Sequence, residues 1–173
     1  MTEPENDVLP TLARLSPTID PMHDDDIEAV HALFGIVLAA IPYYNDLAKA
    51  AERGKYDLQS LIEILRDRSG DILVAKTDNA VIGFCILKDD DGLKWLSWYG
   101  VHPSFRRMGV SKLLLHGVDR LTKEHGAHKI WCDTIAANRE SAHILETSGY
   151  NRLCELKNHW FGQDYILWEK VLP

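Results

Sequence analysis

"VHPSFRRMGVSKLLLHGVDR", Val101 to Arg120, carries the decisive pattern of this 173-residue chain. A Pro-containing turn holds Arg106 and Arg107, Gly109 follows, and an amphipathic helix pattern begins at once. Backbone N–H groups at a helix start are unpaired and point outward, and the helix dipole favours anions there. Two arginines at that end oppose the dipole, at roughly 0.3 kcal/mol or more each if they only decorate a solvated face. Their presence points instead to a bound anion. Gly109 lets the backbone come close to a ligand, where a Cβ would stand in the way, and Lys112 adds charge. The P-loop pattern fails because Val110, not Lys, follows Gly109, and no G-x-G-x-x-G follows a strand. What remains is R-x-x-G-x-S, Arg106 to Ser111, and a diphosphate suits its free amides.

Working outward, "DILVAK", "VIGFCILK" and "LKWLSWYGVHP" read as an antiparallel meander joined by the turns "TDNA" and "DDDG". Gly100, inside the aromatic strand "WLSWYGV", suggests a bulge or a close backbone approach that opens a slot beside the helix start. After the helix, expected over Val110–His125, come a strand "HKIWCDT", a helix "NRESAHILETS", and two strands, "YNRLCELKNHW" and "YILWEKVL". Upstream, residues to about Pro10 read as an acidic tail, and a short strand is expected at Leu12–Leu15. "HDDDIEAVHALFGIVLAAI" is a helix capped by Asp25, with Glu28 three residues on. Its later half is apolar all round, which requires burial beneath the domain or a substrate. "PYYNDLAKAAERGKY" reads as an irregular or partly helical linker, and Asp57 caps the helix "LQSLIEILRDR". The expectation is one α+β domain over residues 11–173, with a mixed, mostly antiparallel sheet of about seven strands flanked by four helices.

The formal net charge of -7 argues against a general nucleic-acid binder, which needs a basic face for counterion release. It is compatible with a cationic substrate. Three isolated cysteines, an acidic N-terminus without an apolar core, and an apolar run too short for a bilayer point to a cytoplasmic protein with no membrane partner. Eight histidines without ligand spacing give no metal site.

The chain resembles the GNAT superfamily of N-acetyltransferases. That family's acetyl-CoA motif, R/Q-x-x-G-x-G/A after a V-x-P strand end, is matched by "VHPSFRRMGVS". An Asn opening a helix that ends in Gly-aromatic is matched by "NRESAHILETSGY", with Asn138, Gly149 and Tyr150 in place. The element order agrees as well, so the likeness covers roughly Leu12 to Leu172. The resemblance implies acetyl-CoA as co-substrate. Amides of Arg107, Gly109, Val110 and Ser111, beside Arg106, would hold the diphosphate. Backbone near Val101 would pair with pantetheine and polarise the acetyl carbonyl, and Asn138 would bond the pantetheine arm. Two positions depart from the pattern. Ser111 stands where Gly or Ala is usual, and Leu145 stands where a Tyr often protonates the leaving thiolate.

The expected reaction is direct transfer of acetyl to a small-molecule amine in a ternary complex. Candidates for the general base are Asp133 at a strand end, and Tyr99 and His102 flanking Gly100. Cys132 as an acyl-carrying nucleophile lacks an evident His partner. Tyr43 and Tyr44, by resemblance, border the acceptor. His159, Trp160 and Asp164 in "NHWFGQDY" line its pocket or form a structured turn, and Asp24 to Asp26 either cap a helix or attract a cationic acceptor. Two other readings stay open. One is a non-catalytic CoA-binding sensor; the other is an interaction protein using "ALFGIVLAAI" and the aromatic strand "WLSWYGV" as a dimer face. A homodimer is also open by family habit.

Overall fold

The computed structural model describes residues 16–78 and 80–173; the expected tail and the strand at Leu12–Leu15 lie outside them. The first strand described is β1, Thr18–Pro21. Three helices follow, α1 (Ile27–Ala39), α2 (Asp46–Lys55) and α3 (Leu58–Asp67). The meander is β2 (Gly70–Thr77), β3 (Ala80–Asp90) and β4 (Leu93–Val101). Then come α4 (Val110–Glu124), β5 (Lys129–Ile135), α5 (Arg139–Thr147), β6 (Asn151–Leu156) and β7 (Tyr165–Val171). The sheet order is β1-β2-β3-β4-β5-β7-β6, and every neighbouring pair is antiparallel except β4 with β5.

Among the described residues five α-helices flank the sheet where four were expected. The supposed linker is helical because Asn45 caps it, its side chain accepting from the Ala48 amide at 2.9 Å, and because its residues are mostly good helix formers. Asp25 does not cap the first helix. A 3-10 turn over Asp24–Asp26 precedes α1, and Asp26 does the fastening: it accepts from the His23 amide at 3.0 Å and pairs with Lys76 at 2.7 Å. Nor is α1 buried all round. Val30, Leu33, Phe34, Val37 and Leu38 are buried, while the far side shows alanines and Ile36, 44% exposed. Alanine adds little apolar area, so the outward face needs no cover.

Two cores sandwich the sheet. On one face, α1 and α3 lay Phe34, Val37 and Leu61 against Val74, Phe84 and Ile86. On the other, α4 and α5 bring Leu114, Val118 and Leu145 onto Leu73, Leu87 and Leu96. The strand β4 serves both faces by an inserted residue. Ile86 pairs with Trp98 but Leu87 pairs with Leu96, leaving Ser97 unmatched. Alternation would put Leu96 and Trp98 on one face; the bulge sends them to opposite cores. The bulge expected at Gly100 therefore sits three residues earlier. Gly100 itself pairs regularly with Phe84, and a Cβ there would lie 2.9 Å from the Phe84 ring and 3.0 Å from Val37 Cγ1. It is glycine because α1 and β3 close over it. Gly100→Ala should cost about 1–3 kcal/mol of stability by overpacking, read as a lower midpoint in chemical denaturation with unchanged slope.

Candidate active site

Parallel pairing of β4 with β5 lasts only from Lys94 to Leu96, opposite Ile130 to Cys132. Past Leu96 the bulge at Ser97 turns β4, the strands part, and a cleft of about 760 Å³ fills the fork. Its walls are Leu96–Val101 of β4, Cys132–Ile135 of β5, the start of α4, the start of α5, and the segment Ala40–Tyr44 after α1. The cleft thus runs from an amide-lined mouth to an aromatic and acidic end.

At the mouth, α4 has no side-chain cap. Its N-cap is Gly109, at φ 78°, and its first internal bond is Leu113 N–H to the Gly109 carbonyl, which leaves the amides of Val110, Ser111 and Lys112 without helical partners. Arg107 also stands in the left-handed region, at φ 62°. Two such residues so close together curl the chain at the cleft's opening, and successive N–H groups in such a curl form an anion-binding concavity. A Cβ at Gly109 would meet nothing within 4 Å. The glycine is required by its φ, not by crowding from the protein. Arg106, Arg107, Ser111 and Lys112 all line the opening.

At the other end, Asp133 lines the cleft while burial pushes its carboxyl above the usual range. A hydrogen bond from Trp160 and the charges of His159 and Lys55 offset part of that rise. Among the described residues no salt bridge reaches it, so a desolvated carboxylate faces open space. Around it stand Tyr44, whose ring meets Trp98 edge-on at 6.1 Å, and Tyr165, whose phenol burial pushes up to about 12. Trp98 in turn donates to Glu52 of α2 at 2.7 Å. The end wall presents aromatic faces and negative charge, an environment that favours a cation.

Of the expected site residues, Tyr43, Tyr44, Tyr99, Val101, Asp133, Asn138 and the loop Arg106–Ser111, apart from Met108, come to this one cleft. His102 does not line it; its Nδ1 accepts the Ser104 amide at 3.2 Å, fastening the 3-10 turn Pro103–Phe105. His159 is set back, meeting Trp160 edge-on at 4.6 Å and Tyr165 edge-on at 6.2 Å. Asp164 faces Lys157 at 2.9 Å and accepts the Asn158 amide, so it structures the hairpin. Asn138 caps α5: its Oδ1 accepts from the Ser141 amide at 3.0 Å and its Nδ2 donates to Ser141 Oγ at 2.7 Å. Cys132 is buried, and desolvation, then Asp133, holds its thiol well above its ordinary range, which removes the thiolate an acyl carrier needs. Elsewhere, Asp71, Asp89 and His125 converge within metal-binding reach, but the Lys94 ammonium sits among them, 2.6 Å from Asp71 and 2.9 Å from His125. That cation takes the place a metal would occupy.

The sequence matches the profile described as the Acetyltransferase (GNAT) family over residues 38–150. No curated protein matches it in sequence. In fold it is similar to PaiA N-acetyltransferase from Thermoplasma acidophilum, solved with coenzyme A, at TM-score 0.74 and 18% identity over 90% of this chain and 99% of that one. Ribosomal-protein-alanine N-acetyltransferase from Brucella melitensis gives 0.74 at 20% identity, covering 90% and 99%. A spermidine N-acetyltransferase chimera based on Vibrio cholerae gives 0.71 at 16%, covering 90% and 95%.

Sequence reading missed a clasp that roofs the acidic end. Gln163 Nε2 donates to the Tyr43 carbonyl at 2.7 Å, and Asn45 Nδ2 donates to the Phe161 carbonyl at 3.0 Å. These bonds tie the segment before α2 to the β6–β7 turn across more than a hundred residues, where Phe161 holds φ 54°. Asn45 was legible as a helix cap; no local pattern marks its distant partner. Gln163→Ala leaves a carbonyl without its donor, so a loss of roughly 1 kcal/mol is expected. Hydrogen exchange should quicken at Tyr44–Asp46 while the β2–β3 amides keep their protection.

Proposed function

The chain belongs to the GNAT acetyltransferase family, and from that premise we propose that it moves acetyl from acetyl-CoA to a small primary amine by direct attack in a ternary complex. The observation that carries this reading is Asp133, a desolvated carboxylate that no salt bridge reaches among the described residues, at the end of a cleft whose mouth is an uncapped helix start. The amide cradle of Arg107, Gly109, Val110 and Ser111 suits the CoA diphosphate, with Arg106 adding charge. Freed backbone of β4 up to Val101 suits the amide-bearing pantetheine arm, as does the second N–H of Asn138.

An aliphatic ammonium with pKa near 10.4 is about three units from its reactive form at neutral pH, a deficit of roughly 4 kcal/mol. Asp133 would attract the ammonium electrostatically and take a proton from nitrogen as the C–N bond forms. Its raised pKa brings it nearer the operating pH, which favours a general base. Tyr43 and Tyr44 flank the acceptor, with His159 supporting Trp160 and Tyr165 behind it. The clasp favours a slender amine over a folded polypeptide. The relatives named above act on acceptors as different as spermidine and a ribosomal-protein alanine, so the acceptor class rests on this chain's own pocket. Three unpaired cysteines fit a reducing cytoplasm.

Leu145, fully buried where the family often has a proton donor, favours a second reading: a CoA sensor without turnover. Amine-dependent thiol release from acetyl-CoA separates the two, with putrescine, phenylethylamine and alanine amide as probes. Release with one of them is expected, and Asp133→Asn should lower it by about 10²–10⁴. Coenzyme A binding with no release from any probe would favour the sensor.

The base must be ionised to work. As pH falls through the pKa of Asp133, kcat/KM should fall, with a midpoint above the ordinary 3.8 of a carboxyl group. Asp133→Asn should lose that acid limb.

A further inference from the structure

One half-buried phenol in the cleft has no part in the steps above. Tyr99 lies two residues past the bulge, so it faces the α4–α5 side, packed against the core that contains Leu145. Its hydroxyl reaches toward α5, and its hydrogen-bond contact is the Ser141 carbonyl at 3.5 Å, the outer limit of a useful bond. Ser141 and Leu145 are one turn apart on the same face of α5. A weakly satisfied O–H donor in the fork therefore stands beside the helix position whose own side chain carries no proton.

We propose that Tyr99 Oη donates a hydrogen bond to the thioester sulfur of acetyl-CoA as that sulfur departs, taking from β4 the task that Leu145 cannot perform from α5. This rests on the acetyl-CoA reading. The amine lone pair forms the C–N bond, Asp133 accepts the N–H proton, and the C–S bond breaks with its electron pair on sulfur. The thiolate, held by the Tyr99 hydroxyl, takes a proton from solvent on release, so amine and thioester become amide and thiol. Burial raises the phenol above its usual 10.0, further above a thiol near 8.5. Full proton transfer from Tyr99 is uphill, and donation of a hydrogen bond is the role left to it.

Desacetyl coenzyme A tests this without an acceptor. Its bound thiol is titrated by thiolate ultraviolet absorbance in the native protein and in Tyr99→Phe. A donor to the thiolate lowers a thiol's pKa. The native complex should ionise about one pH unit below the variant complex, a tenfold change in the ionisation ratio, and below free coenzyme A. The other titratable groups nearby, Cys132 and Asp133 on β5, Cys85 on β3, Tyr43 before α2 and Tyr150 after α5, are present in both proteins. Equal ionisation in the two proteins, or a higher value in the native one, overturns the assignment. Should Tyr99→Phe not fold, a native-bound thiol that ionises no lower than free coenzyme A overturns it equally. If coenzyme A binds neither folded protein, the acetyl-CoA reading falls, and the assignment with it.

Discussion

The parting of β4 from β5 is the constraint on which the rest depends. Two parallel strands that stay paired leave no room for a ligand's backbone-like arm; these two separate after three register positions. The cause is one inserted residue, Ser97, which also reverses the facing of everything after it. Trp98 then belongs to the α1 core, and Tyr99 and Val101 to the α4 core. A single bulge opens the cleft, sets which side chains line it, and brings the strand's freed amides to the uncapped start of α4.

Stability and chemistry are divided between the two sides of that fork. The two cores are closely packed and carry the sheet. The cleft residues depart from what packing alone would choose: a left-handed arginine, a helix without a side-chain cap, and a desolvated carboxylate that no salt bridge reaches among the described residues. Each costs stability when judged alone, and each suits one of the two proposed substrates, the phosphates of acetyl-CoA at the mouth or the amine at the far end. Lys94 shows the opposite arrangement. Fully buried, it is surrounded by two carboxylates and an imidazole, a closed structural cluster with no vacancy.

Much of this was legible from local pattern. The loop at Arg106–Ser111, the two Gly-ended helices and the strand meander all declare themselves through turn residues and periodicity. The position of the bulge was not, because Gly100 carries the composition signal while Ser97 carries the irregularity. Register is set by which core each side chain joins, a long-range matter. The same holds for the clasp: Asn45 and Gln163 are ordinary polar residues until two distant turns meet. The helix α2 is only faintly marked in the sequence because its apolar stripe is thin and its cap and good formers decide it. His102 shows the converse, since a residue that reads as chemistry is engaged in fastening a turn outside the cleft.

Thermal unfolding of the intact protein with and without acetyl-CoA tests the central claim most directly, with coenzyme A lacking its diphosphate-linked half as the comparison. Ligand at one hundred times Kd stabilises by about 2.7 kcal/mol, which for a domain of this size is a rise of several degrees. The account predicts that rise with acetyl-CoA and little with the pantetheine fragment at equal concentration, because the amides at the start of α4 need phosphate. No rise at millimolar acetyl-CoA would contradict it.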